Sequence, residues 1–282
     1  MLQGLKVYKD PKLFWTEVSP HLRHDEAKNN LLLGLARSFV QNSENCLYES
    51  ALFDQGALLG AFICSKYKTD HVLVVSPTPH PQQARELFDA FIKTGTPVMG
   101  LVGETKTADF YKDFFQQQGK TITLRMAQGI YRCQQVKLAP EPPGTVFRVA
   151  TTKDLAIVGK WAEEFHAEAT PQDPPMDGAA FAQDRIQAQA IYLVEVEGDP
   201  KGMAAKTRDI ETACTINMVY TPKKNRKKGY ASIVTGRLTD LLLKSGKRET
   251  NLFTDISNPT SNKIYQNLGY QYIGDSVQYG VK

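Results

Sequence analysis

The chain has 282 residues, with 34 Lys and Arg against 30 Asp and Glu, so its formal net charge is only +4. At about 100–200 residues per domain, this length predicts one large domain or two ordinary ones. The small net charge argues against a generally basic, nucleic-acid-binding protein. Hydrophobic residues make up 41% and charged residues 23%, which is typical of a globular protein rather than a disordered one.

Cysteine, histidine and apolar patterns argue against further classes. The four cysteines contain no CxxC pair and the five histidines no HExxH motif, which argues against a zinc site, a redox motif or a disulfide scaffold. The most apolar stretch, residues 31–36, is far shorter than the ~20 residues of a membrane span. The first residues lack a secretory pattern. We therefore expect a cytoplasmic protein that needs no metal and has no membrane or nucleic-acid partner.

A proline- and glycine-rich segment at residues 139–144 is predicted to be a linker near the midpoint of the chain. It predicts two domains, at residues 1–140 and 144–282. The second half shows a mixed helix and strand pattern that begins with a capping box at residues 151–154 and a helix from Leu155. The further predicted elements are a helix capped by Asp177 to about residue 190, a strand over 191–196, a turn over 198–202, strands over 203–208 and 212–220, a helix over 229–244, a strand over 250–256, a helix over 258–268 and a strand over 271–281.

The first half repeats parts of this order. Residues 72–77 are similar to residues 217–222, and residues 108–111 are similar to residues 261–265. We interpret the chain as a tandem duplication of one α/β unit. The alternative is the loose similarity that any two α/β halves show.

A basic loop joins the strand over 212–220 to the following helix. The first turn of a helix has unpaired N–H groups and the positive end of the helix dipole. Gly229 lets a ligand approach the backbone, and Ala231 is too small to block it. This corner is suited to a phosphate or pyrophosphate; the alternatives are a solvated loop and a nucleic-acid patch. The loop carries five positive side chains: Lys223, Lys224, Arg226, Lys227 and Lys228.

Two motifs carry a family resemblance. The sequence RKKGYA at residues 226–231 resembles the acyl-coenzyme A loop of GNAT-superfamily N-acetyltransferases, with the pattern Q/R-x-x-G-x-G/A. Downstream, NPTSNKIYQNLGY at residues 258–270 resembles the family pattern N-x-x-[AS]-x-x-x-Y-x-x-x-G-[FY]. Each motif is weak alone, whereas both in this order, with a helix and a strand between them, are fairly specific. The chain departs from the common pattern at Lys227, where glycine is frequent.

The resemblance implies a fold, a reaction and a cosubstrate. The implied fold class is α/β (α+β), with tandem GNAT-like acyl-CoA N-acyltransferase folds, each a mixed, mostly antiparallel sheet flanked by helices. The implied activity is transfer of an acetyl group from acetyl-CoA to a primary amine of a small molecule or an aminoacyl or peptide acceptor, by direct attack in a ternary complex. The implied cofactor-binding residues are Met218, Val219 and Tyr220 along the strand, Arg226, Lys227, Lys228, Gly229, Tyr230 and Ala231 in the loop, and Asn258, Ser261 and Tyr265 downstream.

The resemblance also implies catalytic roles. A backbone N–H near Met218 is the implied oxyanion donor, and Tyr265 the implied general acid, because a phenol with a pKa of ~10 stays protonated at neutral pH. Met218 and Tyr265 could instead be ordinary core residues, and Asn258 only a helix cap. The general base is open between a water relay and four side chains: Glu211, Glu164, His166 and Glu168.

The corresponding loop of the first half, residues 77–84, is rich in proline and lacks the Arg-x-x-Gly core. Because proline has no N–H donor, we predict no coenzyme site there, and Tyr111 would occupy the place of Tyr265 without a thioester. An alternative function is a non-catalytic CoA or acyl-CoA sensor on the same fold, and a third is a nucleic-acid-associated protein. A monomer and a homodimer are both open.

Overall fold

The computed structural model describes residues 4–67, 70–78 and 80–282. The chain divides into two compact units. Unit 1 comprises Met1–Ile130, Thr254–Asn258 and Tyr272–Lys282, and unit 2 comprises Tyr131–Phe253 and Pro259–Gln271. The predicted domains meet at a single linker, whereas the chain passes between these units after residues 130, 253, 258 and 271.

The helices and strands follow one another along the chain in a repeating order. They are β1 (Leu5–Tyr8), α1 (Pro11–Leu22), α2 (Glu26–Gln41), β2 (Cys46–Asp54), β3 (Ala57–Tyr67), β4 (Asp70–Val75), α3 (Arg85–Lys93), β5 (Gly100–Glu104), α4 (Thr105–Gln117), β6 (Ile122–Cys133), β7 (Thr145–Val149), α5 (Leu155–Ala169), α6 (Gly178–Gln187), β8 (Ile191–Val196), β9 (Asp199–Thr207), β10 (Ala213–Tyr220), α7 (Tyr230–Lys244), β11 (Glu249–Asp255), α8 (Pro259–Asn267) and β12 (Gln271–Val281). Among the described residues, no helix combines the length and the apolar character needed to cross a bilayer.

The sheet of unit 1 contains the strands in the order β1-β2-β3-β4-β5-β12-β6. The strands β1 to β4 pair antiparallel, and β4 pairs parallel with β5, starting at Val72 opposite Gly100. The C-terminal strand β12 pairs antiparallel with β5, with Gly280 opposite Gly100. The core of unit 1 is strongly aromatic, with Phe62, Phe88 and Tyr111 fully buried.

The sheet of unit 2 contains β7-β8-β9-β10-β11 in this order. The strands β7 to β10 pair antiparallel, and β10 pairs parallel with β11. The order of helices and the pairing of strands from β1 to α4 therefore recur from β7 to α8. The α5 and α6 helices pack on one core cluster of the sheet and α7 on another.

The local signals read from the sequence of unit 2 produce the expected elements. The capping box at Thr151 and Asp154 is present, and the Asp177 carboxylate accepts a hydrogen bond from the Ala180 N–H at 2.9 Å. One prediction is wrong: residues 199–202, predicted as part of a turn, belong to β9. The hairpin instead turns on Glu197 and Gly198, both with positive φ, and two-residue turns of this kind match the twist of paired strands.

Candidate active site in unit 2

A bulge interrupts β10 near its C-terminal end. The register against β9 shifts between Asn217 and Tyr220, and Met218 has a φ of +50°, a left-handed conformation that non-glycine residues rarely adopt. The bulge reverses the alternation of side chains. Ile216 packs on the α7 side of the sheet, whereas Met218 and Tyr220 both pack on the α5 and α6 side.

The strands β10 and β11 separate at the same level. Their parallel pairing runs only from Ala213 opposite Glu249 to Thr215 opposite Asn251, although both strands continue. Within the described residues, β10 therefore has an edge without a β11 partner beyond Thr215. Its peptide groups are available to an extended, amide-bearing ligand in the manner of an added strand.

The loop after β10 presents backbone N–H groups outward. After a single 3₁₀ turn at Lys223–Asn225, Lys227 and Gly229 adopt left-handed φ values of +64° and +83°. Gly229 is the N-cap of α7, and the Ile233 N–H is the first to donate back to it, at 3.0 Å. Among the described residues, no carbonyl accepts from the N–H groups of residues 227–232. N–H groups without an acceptor at a helix N-terminus are suited to binding an anion.

The side chain of Arg226 has a different role from its neighbours. Its guanidinium donates to the Thr221 carbonyl at 3.0 Å and to both carboxylate oxygens of Glu168 at 2.9 and 2.7 Å. It also lies 5.7 Å from the ring centre of Tyr220. Arg226 thus fixes the loop against α5 and is electrically paired, so the loop offers an anion its backbone and the exposed Lys227 and Lys228.

Two further residues hold the loop in place and were not predicted. Asn225 is buried, and its amide donates to the Lys201 carbonyl on β9 at 3.4 Å. Gly202 allows the loop to approach β9, because a Cβ there would meet the Tyr220 carbonyl oxygen at 3.0 Å and the Thr221 hydroxyl oxygen at 3.1 Å. The sequence shows Asn225 only as an interruption of the lysine run, and Gly202 only as a turn glycine.

Tyr265 lies on α8 in a core cluster that includes Leu252 of β11 and Tyr270. Its ring is buried, and burial raises the pKa of its hydroxyl to about 12. No group among the described residues forms a hydrogen bond with this hydroxyl. Leu252 directly follows Asn251, where the pairing of β10 and β11 ends. Tyr265 therefore carries an unused, protonated donor on the β11 side of the opened strands.

The four predicted base candidates have different surroundings. His166 contacts the Pro174 carbonyl at 2.9 Å and the Thr170 hydroxyl at 3.0 Å through its two ring nitrogens. Glu168 is paired with Arg226, as described above. Glu211 precedes β10 and lies seven residues before Met218, about 23 Å along a strand at roughly 3.3 Å per residue, so the structure does not bring these two residues together.

Glu164 is the candidate that contacts the strand of the bulge. It accepts a hydrogen bond from the Tyr220 hydroxyl at 2.9 Å. Burial, and then the contact with Glu164, raises the pKa of Tyr220 to about 12. The Tyr220 ring also packs near Trp161 and Phe165 of the same helix, with ring centres 6.4 Å apart in both cases. Glu164 and Tyr220 therefore form a polar pair between α5 and the end of β10.

The other predicted binding residues lie on the expected elements. Val219 and Tyr230 pack against α7 neighbours, and Ala231 is half-buried in the first turn of α7. Ser261 lies in the first turn of α8. Asn258 directly precedes α8 and its N–H donates to the Asp255 carbonyl at 3.1 Å. Asn258 belongs to unit 1, so its role in binding stays a prediction.

Comparison with known proteins shows which proteins have a similar sequence or a similar fold. Residues 195–279 match the sequence model of a family described as FR47-like protein. No curated protein matches the chain. Among solved structures, a GNAT-family acetyltransferase from Colwellia psychrerythraea is 14% identical, with a TM-score of 0.60 and 99% of both chains covered. A GCN5-related N-acetyltransferase from Sphaerobacter thermophilus is 13% identical, with a TM-score of 0.65, 99% of this chain and 95% of that chain covered.

A third solved structure resembles the chain over both halves. It is a tandem GNAT protein from the clavulanic acid biosynthesis pathway, 9% identical, with a TM-score of 0.58 and 99% of this chain and 98% of that chain covered. The chain has the GNAT acetyltransferase fold. The resemblance and the fold class predicted from the two motifs are therefore confirmed. At these identities the similarity establishes the fold, and the GNAT activity has to be argued from the site.

The two units use the GNAT fold differently. In unit 1, β3 and β4 pair without a register shift. The N–H of Ser76 donates to the Ala61 carbonyl at 2.9 Å, and that of Thr78 to the Thr107 hydroxyl at 3.0 Å. Within this loop, Pro79 lies outside the described residues. The loop of unit 1 thus uses two of its N–H groups in hydrogen bonds within unit 1.

The tyrosines at matching positions differ in the same way. Tyr111 is fully buried, and its hydroxyl donates to the carbonyl of Ala84, the N-cap of α3, at 3.1 Å. Tyr265 has no such partner, and the N-cap of its neighbouring helix is Gly229. The hydroxyl of Tyr111 therefore has a structural partner, whereas that of Tyr265 has none among the described residues.

Proposed function

We propose that the chain is an N-acetyltransferase that transfers the acetyl group of acetyl-CoA to a primary amine, and that unit 2 carries the whole coenzyme site. The observation that supports this most strongly is the combination of the Met218 bulge and the open N–H groups of residues 227–232 at opposite ends of one strand-to-helix connection. A ligand with an amide-bearing arm that ends in a pyrophosphate fits this arrangement, because the amides can pair with the free edge of β10 and the pyrophosphate can accept from the N–H groups of the loop.

In this proposal the free edge of β10 at Met218–Tyr220 binds the pantetheine arm, and the loop backbone at Arg226–Ala231 binds the pyrophosphate. Acetyl-CoA supplies a thioester, which is an activated acetyl donor. A backbone N–H near Met218 stabilises the charge that develops on the carbonyl oxygen, an effect of ~2.7–4 kcal/mol for one well-placed donor. Ser261 contributes to the cosubstrate site from the first turn of α8.

Two protons have to move in the reaction. The amine nitrogen forms a bond to the acetyl carbon, the C–S bond breaks, and coenzyme A leaves as the thiol. Tyr265 donates the proton to the leaving sulfur, since burial keeps its hydroxyl protonated at neutral pH. Glu164 accepts the proton from the amine, directly or through the Tyr220 hydroxyl that it binds. The protonated hydroxyl of Tyr265 is thus in the form that its role as a proton donor requires.

A matched pair of tyrosine variants tests the proposal. Release of coenzyme A thiol is measured with acetyl-CoA and a panel of primary amines for the wild type, Tyr265→Phe and Tyr111→Phe. We expect turnover to fall about 100-fold or more in Tyr265→Phe with little change in melting temperature, because its hydroxyl has no partner to lose. In Tyr111→Phe we expect little change in turnover and a lower melting temperature, since this variant loses only a buried hydrogen bond.

The outcomes separate the candidate functions. If the wild-type protein binds acetyl-CoA but acetylates no amine, the result would contradict the acetyltransferase function and favour the non-catalytic sensor. An acetyl-CoA excess that fails to raise the melting temperature would contradict both. Undiminished turnover in Tyr265→Phe would remove that residue from the mechanism.

A further inference from the structure

Arg208 is a cation without an anionic partner in the described structure of unit 2. It follows the last residue of β9 and is partly buried. Burial lowers the pKa of its guanidinium to about 10, so it remains charged at neutral pH. The guanidinium lies 5.6 Å from the ring centre of Phe253, and its Nε donates a long hydrogen bond to the Thr215 hydroxyl at 3.4 Å.

Other arginines of unit 2 show the contrast. Four of them contact carboxylates within 3.0 Å, in the pairs Arg132–Glu249, Arg148–Asp154, Arg226–Glu168 and Arg237–Glu141. No carboxylate among the described residues pairs with Arg208. A buried charge is normally compensated by a partner, and no carboxylate among the described residues compensates Arg208.

Asn251 provides a second unused donor beside Arg208. It is fully buried, and its Oδ1 accepts from the Thr215 hydroxyl at 2.7 Å. Its Nδ2 is buried and has no hydrogen-bond partner among the described residues. Thr215 thus connects Arg208 to Asn251, and the cluster of these three residues has two donor groups in excess and no free carboxylate. Buried donors of this kind need an acceptor.

The position of this cluster relates it to the reaction. Thr215 and Asn251 form the last pair of the β10 and β11 ladder, at the point where the strands separate. Cys214 and Ile216 face α7, so Thr215 faces the opposite side of the sheet, on which Met218 also packs. Met218 is the third residue after Thr215, which is at most about 10 Å along the strand at roughly 3.3 Å per residue.

We propose, building on the proposed acetyltransferase function, that the acceptor is an amino carboxylate whose carboxylate binds Arg208 and Asn251 while its amine reaches the acetyl group beside Met218. A guanidinium offers parallel N–H groups that match the two oxygens of a carboxylate. The Nδ2 of Asn251 adds a third donor, and stacking on Phe253 fixes the plane of the guanidinium. The strand spacing restricts the acceptor to short amino carboxylates rather than long chains.

Paired acceptors test the proposal without any variant. 4-Aminobutanoate and butylamine have the same primary amine and the same chain length, and only the first has a carboxylate. Glycine, 3-aminopropanoate and 6-aminohexanoate vary the separation, and phosphoethanolamine replaces the carboxylate by a phosphate. For the wild type we expect kcat/KM to be at least about tenfold higher for the best amino carboxylate than for its matching alkylamine, as one charge-assisted contact gives.

The variants then assign the effect to the cluster. In Arg208→Gln we expect kcat/KM for the amino carboxylate to fall about 30-fold, with kcat/KM for butylamine and KM for acetyl-CoA unchanged. Arg208→Lys keeps the charge without the paired N–H groups and should give a smaller loss. The control is Arg185→Gln, since Arg185 also lies over a ring, that of Phe181 at 5.9 Å, but is outside the cluster.

The results distinguish this inference from the function on which it rests. Butylamine acetylated as well as its carboxylate partner, a preference for phosphoethanolamine over every amino carboxylate, or equal losses for both acceptors in Arg208→Gln would overturn the carboxylate site and leave the acetyltransferase standing. No acetylation of any amine would contradict the proposed function itself. If Arg208→Gln does not fold, the wild-type ratio and Arg208→Lys still decide the question.

Discussion

The replacement of Gly229 by alanine separates two roles of this residue that the structure combines. The φ of +83° places Gly229 in the left-handed region, and a Cβ built there would meet no atom within 4 Å. The effect on folding is therefore a backbone effect alone, about 1–2 kcal/mol. Gly246, which follows the other end of α7, has a φ of +102° and equally open surroundings, so Gly246→Ala is a matched control for this strain.

Binding should distinguish the two variants. In Gly229→Ala the loop either loses its left-handed turn or places a methyl group beside the outward N–H groups, and both changes weaken contacts to an anion. The loss of one charge-assisted hydrogen bond, about 1.5–3 kcal/mol, raises the Kd for coenzyme A at least about tenfold. In Gly246→Ala we expect a change of less than about twofold.

The assay combines urea unfolding, which gives the free energy of unfolding, with calorimetric titration of coenzyme A at 25 °C. Similar losses of stability in both variants, together with weaker binding only in Gly229→Ala, are the expected result. Equal Kd values for the two variants would refute the assignment of the loop backbone to the pyrophosphate.

Three other predictions follow from single contacts. In Gly202→Ala the new Cβ would meet the Tyr220 carbonyl oxygen at 3.0 Å, so the affinity for coenzyme A should fall several-fold and the free energy of unfolding by about 1–3 kcal/mol. Calorimetric titration measures the affinity and urea unfolding measures the stability. An unchanged affinity would show that the loop binds coenzyme A even when it is displaced. In Glu164→Gln, kcat should fall about tenfold or more at pH 7 and recover towards high pH, where the amine is already neutral. If the ratio of the variant's kcat to the wild-type kcat does not change with pH, Glu164 is not the base. Burial raises the pKa of Glu49 from 4.5 to about 7, so between these pH values the native state holds a proton that the unfolded state has lost. The free energy of unfolding should therefore fall by up to about 3 kcal/mol as the pH rises through this range, and Glu49→Gln should remove this fall in urea unfolding at pH 5 and pH 8.

Local features of unit 2 could be predicted from the sequence because their signals lie within a few residues. Thr151 and Asp177 mark helix starts through their own side chains, and Gly229 marks the corner before α7. The bulge could not be predicted, because Met218 adopts a positive φ that its residue type disfavours. That conformation is stabilised by the shifted pairing with β9 and by burial.

Contacts between distant residues account for the remaining gaps. The choice of Glu164 among the base candidates depends on a hydrogen bond to Tyr220, 56 residues away. The unused donors of Arg208 and Asn251 become visible only when β9, β10 and β11 are paired. The placement of β12 in unit 1 depends on its pairing with β5, and no motif in either strand signals that partner.

The stoichiometry of acetyl-CoA binding shows whether unit 2 holds one coenzyme site and unit 1 none. Equilibrium dialysis with labelled acetyl-CoA measures the number of molecules bound per chain for the wild type and for Gly229→Val. We predict one molecule per wild-type chain and none per Gly229→Val chain at the same concentration. Two molecules per chain, or one molecule still bound by Gly229→Val, would contradict a single coenzyme site at the loop of unit 2.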